Sequence, residues 1–320
     1  VSTLSSEVRF FSADNPGAPP RLIQKRGEDY EYSVSHRGGY FYILTNLKAE
    51  NFRLMKAPVE TPSREHWQPL IPHREDVLLN GVELFDDYTV LSERRDGLRT
   101  IRIIEAKSGK DYYLDFDEDA YTAYISTNRE MDTTILRFTY TSLTTPVTTY
   151  EIDMKTQEKN LLKQEEILGD FDSNDYESQR IFVEARDGTA VPVSLLYRKG
   201  RKEKGAGPLL LYAYGSYGYS MDPRFSSSVL SLVDRGFIYA MAHIRGGQEM
   251  GRRWYEDGKL LEKKNTFTDF IDCGRYLIEE GFTSENQLFA QGGSAGGLLM
   301  GAVVNMAPEL FRGVVANVPF

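Results

Sequence analysis

The first half of the chain carries short runs in which apolar and polar residues alternate, and these runs are rich in Tyr, Thr, Val, Ile and Phe. Between about residues 30 and 164, Gly, Asn, Asp and Pro separate the runs, a pattern typical of consecutive antiparallel strands. The runs come in pairs, and the pairs lie at 40–45 with 51–55, 88–92 with 98–103, and 135–140 with 147–152. Corresponding runs of successive pairs are 47 to 49 positions apart. We expect no helix in this region.

A repeat of this length with about four strands is typical of one β-propeller blade, because a lone four-stranded sheet must stack on copies of itself to bury both faces. The region therefore predicts about three blades of a partial propeller. Because a ring needs roughly four to eight blades, we expect further blades before Val1, a first residue that is also not Met. An antiparallel sandwich with accidental spacing is the alternative.

Beyond residue 170 the pattern changes to apolar strands that alternate with amphipathic helices, which predicts a doubly wound, mostly parallel sheet. We expect a hairpin first, around Asp187 and Gly188. The later strands and helices are predicted, in chain order, at 208–214, 226–235, 237–243, 266–280, 287–291, 295–306 and 313–318. We therefore divide the chain into propeller blades at 1–170 and an α/β domain at 171–320.

Composition and charge exclude several classes of function. Lys and Arg number 38 against 47 Asp and Glu, so the formal net charge is −9, and without a basic stripe we expect no nucleic-acid partner. No run approaches about 18 apolar residues, so we expect no membrane partner. A single cysteine, Cys273, cannot form an internal disulfide, which favours a reducing compartment such as the cytoplasm. Cys and His residues lack metal-binding spacing, and we expect no cofactor and no metal.

One motif carries chemistry. Residues 292–297 read Gly-Gly-Ser-Ala-Gly-Gly between a predicted strand and a predicted helix, the setting that a nucleophilic serine requires. Glycines two positions before and after Ser294 permit a tight, strained turn, and the amide of Ala295 at the helix N-terminus can donate to an oxyanion. A glycine-rich turn with an incidental serine is the alternative, whereas the spacings of phosphate-binding loops are absent.

A serine nucleophile needs a histidine base that a carboxylate orients. In folds with this motif the chain order is serine, acid, histidine. All four histidines precede the serine, and they are His36, His66, His73 and His243. Although His243 ends a predicted strand, it precedes Ser294 in the chain, and this order favours a structural role. We therefore expect the acid and the base to lie beyond Phe320.

The propeller followed by this motif resembles the prolyl oligopeptidase family of serine peptidases, and within it the oligopeptidase B branch. The segments that carry the resemblance, besides the serine motif, are 212–218 (Tyr-Ala-Tyr-Gly-Ser-Tyr-Gly), 243–249 (His-Ile-Arg-Gly-Gly-Gln-Glu), 254–258 (Trp-Tyr-Glu-Asp-Gly) and 317–320 (Asn-Val-Pro-Phe). This resemblance implies an α/β-hydrolase fold, truncated after the nucleophile helix and the next strand. It also implies a cytoplasmic enzyme that cleaves short peptides after Arg or Lys.

The same resemblance assigns the catalytic residues. It implies that Ser294 attacks the scissile carbonyl while the Ala295 amide and the Tyr214 phenol bind the oxyanion. A phenol supplies one more donor where negative charge develops. Packing at the end of a strand is the alternative role for Tyr214.

Two residues are implied in substrate binding. Asp222 matches an acidic position of the P2 pocket, which holds the residue before the cleaved one (P1), but Arg224 replaces the second acid of some relatives. Trp254 matches an aromatic residue of the P1 pocket. The alternatives are a turn acid for Asp222 and simple packing for Trp254. The acids that select a basic P1 residue lie after the nucleophile in this family, so we expect them outside the chain.

Other functions remain open. Three other enzymes would fit the same scaffold, because a nucleophile turn does not choose the substrate: a prolyl oligopeptidase, an acylaminoacyl peptidase or an esterase. A non-enzymatic scaffold is a further possibility for the 320 residues alone, since no histidine in them can complete the triad.

Overall fold

The computed structural model describes residues 5–27, 30–201 and 206–320. Its first part contains antiparallel sheets in which each strand pairs with the next along the chain. A two-stranded sheet joins β1 (Val8–Phe10) and β2 (Arg21–Gln24). The four-stranded sheets are blade 1, with β3 (Tyr32–Arg37), β4 (Tyr40–Thr45), β5 (Arg53–Pro58) and β6 (Gln68–Ile71); blade 2, with β7 (Val77–Leu84), β8 (Tyr88–Arg95), β9 (Leu98–Glu105) and β10 (Asp111–Tyr113); and blade 3, with β11 (Tyr121–Ile125), β12 (Ile135–Ser142), β13 (Thr148–Asp153) and β14 (Lys159–Gln164).

The second strands of the three blades keep the spacing that the sequence predicts. They begin at Tyr40, Tyr88 and Ile135, which are 48 and 47 positions apart. The partial propeller is therefore confirmed, and the sandwich alternative is wrong. A short 3-10 helix, Arg64–His66, is the one helical departure among the described residues before 165.

Blade 2 buries both of its faces against the neighbouring blades. Leu44 of blade 1 shares an apolar cluster with Leu91 of blade 2. Ile101, on the other face of blade 2, shares a second cluster with Phe138 of blade 3. This face-to-face stacking is the reason why the blade recurs in the sequence.

The second part of the molecule is built on a six-stranded sheet with the order β15-β16-β18-β17-β19-β20. Its strands are β15 (Tyr176–Glu184), β16 (Ala190–Arg198), β17 (Leu209–Tyr212), β18 (Ile238–Ala242), β19 (Leu288–Gly293) and β20 (Gly313–Asn317). Strands β17 to β20 are parallel, whereas the predicted hairpin of β15 and β16 runs antiparallel beside β18.

Helices connect the parallel strands. They are α1 (Ser227–Val233), α2 (Arg252–Glu256), α3 (Lys263–Glu279) and α4 (Ala295–Met306), with 3-10 turns at Ser173–Asp175 and Leu260–Glu262. The three predicted helices are confirmed as α1, α3 and α4. The short helix α2 was not predicted, because its five residues are too few to show a helical period.

Alternate residues of β17 face opposite layers, as the period of a strand requires. Leu209 and Leu211 join a core with α3 and α4. Leu210 faces the other way and shares a cluster with Val233 of α1 and Leu143 from the loop after β12. Blade 3 therefore packs against the α1 side of the sheet, and the two parts of the molecule share a core.

Within the described residues, no helix is long and apolar enough to cross a membrane. The same part of the chain contains no group of three or more His, Cys, Asp or Glu arranged to hold a metal ion.

Candidate active site

The strained turn predicted at Ser294 lies between β19 and α4. Its backbone has φ 55° and ψ −116°, in the left-handed half of conformational space that side chains rarely adopt. A Cβ at Gly292 would overlap the carbonyl oxygen of Gly296, and a Cβ at Gly296 would lie 2.8 Å from the carbonyl oxygen of Ala213. Both glycines of the motif are therefore required by close backbone contacts.

The turn leaves the serine hydroxyl available. Ser294 is half-buried and its side chain makes no capping hydrogen bond to the helix. Its amide donates to the carbonyl oxygen of Asn317 at 2.9 Å, which ties the turn to the end of β20. Ala295 is buried as the first residue of α4, where the amide has no partner within the helix. The residues predicted to be the nucleophile and an oxyanion donor thus stand side by side.

Tyr214 follows the end of β17 and approaches the same turn. A Cβ at Gly296 would lie 3.5 Å from the Cα of Tyr214, so the two backbones are in contact. The ring of Tyr214 is half-buried and packs edge-on against Tyr219, with 5.8 Å between ring centroids. The fold therefore brings together the three residues predicted for catalysis, and their catalytic roles stay predictions.

Residues 214–222, here called the Tyr214 segment, are fixed by groups from other elements. Lys263 at the start of α3 donates to the carbonyl oxygen of Gly215 and, at 2.6 Å, to the hydroxyl of Ser216. The Gly218 amide donates to the carbonyl oxygen of Gly246 at 2.9 Å. Burial lowers the pKa of Lys263 to about 8.

A buried carboxyl holds the far end of this segment. Glu249 accepts a hydrogen bond from the Met221 amide at 2.8 Å. Burial raises the pKa of Glu249 to about 7, against the opposing effects of the Met221 amide and of Arg94. Neither Lys263 nor Glu249 was singled out from the sequence. Glu249 lies in segment 243–249, which carries part of the family resemblance and could have pointed to this residue. No pattern in the sequence points to Lys263.

His243 is a core residue, as its position in the chain favoured. It is 3% exposed, and its Nε2 lies 2.7 Å from the hydroxyl of Ser194 on β16. Burial lowers the pKa of His243 to about 3, helped by Arg180 and Arg94. The ring is therefore held neutral inside the protein, and the structural role is confirmed.

The two residues predicted in substrate pockets lie in crowded surroundings. Trp254 is buried in the core of the sheet and donates its indole N–H to the carbonyl oxygen of His243 at 3.0 Å. Asp222 is buried too, and its carboxylate oxygens lie 2.8 Å from Arg94 Nη2 and 3.1 Å from Arg99 Nε. Their substrate-binding roles stay predictions.

Family models match both parts of the molecule. The N-terminal β-propeller domain of prolyl oligopeptidase matches residues 1–165, and the prolyl oligopeptidase family model matches residues 223–320. The chain belongs to the prolyl oligopeptidase family. The predicted α/β-hydrolase half and its propeller thus follow the architecture of this family.

Relatives within this family align along the whole chain. Dipeptidyl aminopeptidase BI of Pseudoxanthomonas mexicana is 50% identical, and Protease 2 of Moraxella lacunata is 38% identical; each covers 100% of the chain, which spans 44% and 46% of them. Oligopeptidase B from Trypanosoma brucei with covalently bound antipain, in its closed form, superposes with a TM-score of 0.93 at 39% identity, over 100% of this chain and 47% of that one. The chain spans less than half the length of these relatives.

Proposed function

We propose that the chain supplies the nucleophile and the oxyanion donors of a serine endopeptidase that cleaves short peptides after Arg or Lys. The observation that carries this proposal is the strained backbone of Ser294, at φ 55° and ψ −116°, directly before the free helix N-terminus at Ala295. Strain of this kind persists only where the surroundings enforce it, and it is concentrated at functional sites. The membership of the prolyl oligopeptidase family supports the same reaction.

The proposed reaction uses two displacements. Ser294 Oγ attacks the scissile carbonyl carbon and passes its proton to a histidine from outside the 320 residues. The carbonyl oxygen becomes an oxyanion, which accepts hydrogen bonds from the Ala295 amide and the Tyr214 hydroxyl. When the C–N bond breaks, the proton goes to the leaving amine, and water then hydrolyses the acyl-enzyme.

The preference for short peptides follows from the propeller. Blade 3 shares a core with the α1 side of the catalytic sheet, and a blade-2 ion pair reaches the Tyr214 segment. Blades packed this close to the nucleophile would exclude folded proteins from it. A preference for basic P1 residues rests on the resemblance to the oligopeptidase B branch and requires acids from outside the chain.

The test uses the complete gene product and four blocked substrates: an arginine amide, a proline amide, an acyl-alanine and a short ester. We expect cleavage of the arginine amide, loss of that cleavage in Ser294→Ala, and retention in Ser227→Ala, a control serine exposed on α1. A fluorophosphonate should label Ser294. Full activity of Ser294→Ala would refute the nucleophile, whereas preference for another substrate would favour the corresponding alternative. The 320 residues alone should be inactive.

A second candidate is a peptidase that releases dipeptides from a free N-terminus. It is favoured by the 50% identity to dipeptidyl aminopeptidase BI, against 38% to Protease 2. Comparing a dipeptide arginine amide with and without an N-terminal block separates the two proposals. An endopeptidase cleaves both, whereas a dipeptidyl aminopeptidase cleaves only the unblocked one.

A further inference from the structure

Blade 2 contains a pair of like charges that nothing in the blade compensates at close range. Arg94 on β8 lies directly opposite Arg99 on β9. Two like charges at facing positions of an antiparallel pair destabilise it. Within its hairpin, Arg94 donates only to an uncharged group, the carbonyl oxygen of Gly97. The compensating charge therefore has to come from elsewhere.

The counter-charge is Asp222, from the catalytic part of the molecule. Arg94 and Asp222 are 128 positions apart in the chain, and their side chains are 2% and 3% exposed. Each oxygen of the Asp222 carboxylate approaches one guanidinium of blade 2. Arg94 is buried, whereas the Arg99 side chain is partly exposed. Arg224 contributes a more distant third contact at 3.9 Å. Such a buried pair is costly to break, because the remaining partner stays buried and uncompensated.

The position of Asp222 gives this pair its significance. Asp222 ends the Tyr214 segment, directly after Met221, whose amide is held by Glu249. The beginning of the segment is held by Lys263, through Gly215. The propeller thus fixes one end of the segment that carries the phenol beside Ser294, while the catalytic sheet and helices fix the rest.

We propose that Arg94 and Asp222 are positioning residues for peptide hydrolysis, which fix the Tyr214 segment against the Ser294 turn from the propeller side. This inference rests on the proposed function, since it assigns a purpose to the position of Tyr214. It differs from a role of Asp222 in selecting a basic P2 residue. A cationic P2 side chain would have to displace Arg99 from a carboxylate that is already shared by two guanidinium groups.

The experiment compares Arg94→Met, Asp222→Leu and the double variant in the complete gene product. The substrates are three blocked peptides with Arg at P1 and with Arg, Gly or Glu at P2. We expect each single variant to lower kcat by roughly tenfold or more on all three substrates, because Arg94→Met removes the buried partner of Asp222 and Asp222→Leu leaves Arg94 buried without a counter-charge. The double variant should lose less than the product of the two single losses.

Matched controls separate this contact from general damage at the boundary. Arg95→Met removes the exposed guanidinium next to Arg94 on β8, and Asn51→Ala removes a different contact between blade 1 and α2, at Arg252. Both should keep kcat within about threefold of the wild type. The conservative Arg94→Lys, which keeps the charge but loses the guanidinium fork, should show an intermediate kcat.

Two outcomes would overturn the inference. A loss in Asp222→Leu confined to the peptide with Arg at P2 would make Asp222 a specificity residue, and an unchanged kcat in Arg94→Met would remove the propeller contact from the mechanism. Hydrogen exchange provides a readout that does not depend on turnover. In Arg94→Met, amides of the Tyr214 segment should exchange at least about tenfold faster while those of α4 stay unchanged.

The same measurements separate failure of the proposed function from failure of this inference. If the wild type neither cleaves these peptides nor reacts with a fluorophosphonate, the proposed peptidase is wrong. Faster exchange in Arg94→Met would still support the anchoring contact in that case. Unchanged exchange would refute it, whatever the activity.

Discussion

The Ser294 turn and the Tyr214 segment meet at one point but are fixed by different means. The turn is set by backbone atoms, since Gly292 lies against Gly296, Gly296 lies against Ala213, and the Ser294 amide donates to the carbonyl oxygen of Asn317. The Tyr214 segment is fixed mainly by side chains from elsewhere, including Lys263 of α3 and Arg94 of blade 2.

This difference separates two ways of positioning reacting groups. A turn set by backbone contacts tolerates almost no substitution at its glycines, because an added Cβ overlaps atoms that have no rotamer to move. A segment held by side chains can be loosened one contact at a time. We therefore expect substitutions in the turn to abolish function, and substitutions around the segment to reduce it in steps.

The largest effect is expected for Gly296→Ala. Its Cβ would lie 2.8 Å from the Ala213 carbonyl oxygen and 3.5 Å from the Tyr214 Cα, so the turn and the segment must move apart. A displacement of about 1 Å costs on the order of 10²-fold in rate, and because both proposed oxyanion donors and the proposed nucleophile shift, we expect kcat to fall by roughly 10³-fold.

Gly301→Ala, in the same helix, is the matched control. An added Cβ there meets no atom within 4 Å, and alanine favours a helix over glycine by about 1 kcal/mol. This variant should keep full activity and unfold at a slightly higher temperature. Equal kinetic losses in the two variants would show that helix composition, rather than the contact at the turn, is responsible.

The next effect in size is expected for Tyr214→Phe, which keeps the ring packing on Tyr219 and removes only the hydroxyl. Loss of one oxyanion donor costs about 10²-fold to 10³-fold in kcat, with KM nearly unchanged because the bond forms in the transition state. Tyr217→Phe, at a ring 70% exposed in the same segment, is the control. If both variants behave like the wild type, the phenol does not bind the oxyanion.

The smallest effect is a change in stability with pH at Glu249. Its pKa in the folded protein is about 7 against an ordinary value of 4.5. The folded state therefore binds the extra proton between these values, and wild-type stability falls as pH rises through them, by roughly 3 kcal/mol in total. The Glu249→Gln side chain cannot ionise and can still accept a hydrogen bond from the Met221 amide. The free energy of unfolding of this variant, relative to that of the wild type, should therefore rise by about this amount between pH 4.5 and pH 8.

Thermal or denaturant unfolding of the two proteins at both pH values measures the gain. A constant difference between Glu249→Gln and the wild type at pH 4.5 and pH 8 would contradict the buried, protonated carboxyl. It would also indicate that the far end of the Tyr214 segment is more open to water than its contacts suggest.

Much of the fold could be predicted because its signals are local or periodic. The blade repeat follows from strands spaced 47 to 49 positions apart, and the turn at Ser294 follows from glycines within a few residues of it. In contrast, the pairing of Arg94 with Asp222 joins residues 128 positions apart, which no local pattern reveals. The structure's register places Arg94 opposite Arg99, and their shared counter-charge comes from tertiary packing.

The same reasoning explains why Asp222 was assigned from resemblance alone. From the sequence, an aspartate before a proline is equally compatible with a turn and with a pocket. Its surroundings depend on how blade 2 packs, and that packing is a property of the tertiary structure. Lys263 is similar, because a lysine that opens an amphipathic helix usually faces solvent, whereas here it donates into the Tyr214 segment.

The facing arginines of blade 2 also set a rule for exchanging modules between relatives. A propeller transplanted onto a catalytic half without an acid at the position of Asp222 would leave Arg94 and Arg99 without their counter-charge, and the two like charges would destabilise the boundary. Conversely, this catalytic half would bury an unpaired carboxylate beneath a propeller that lacks the two arginines. Chimaeras should therefore be compatible only when the hairpin and the aspartate are exchanged together.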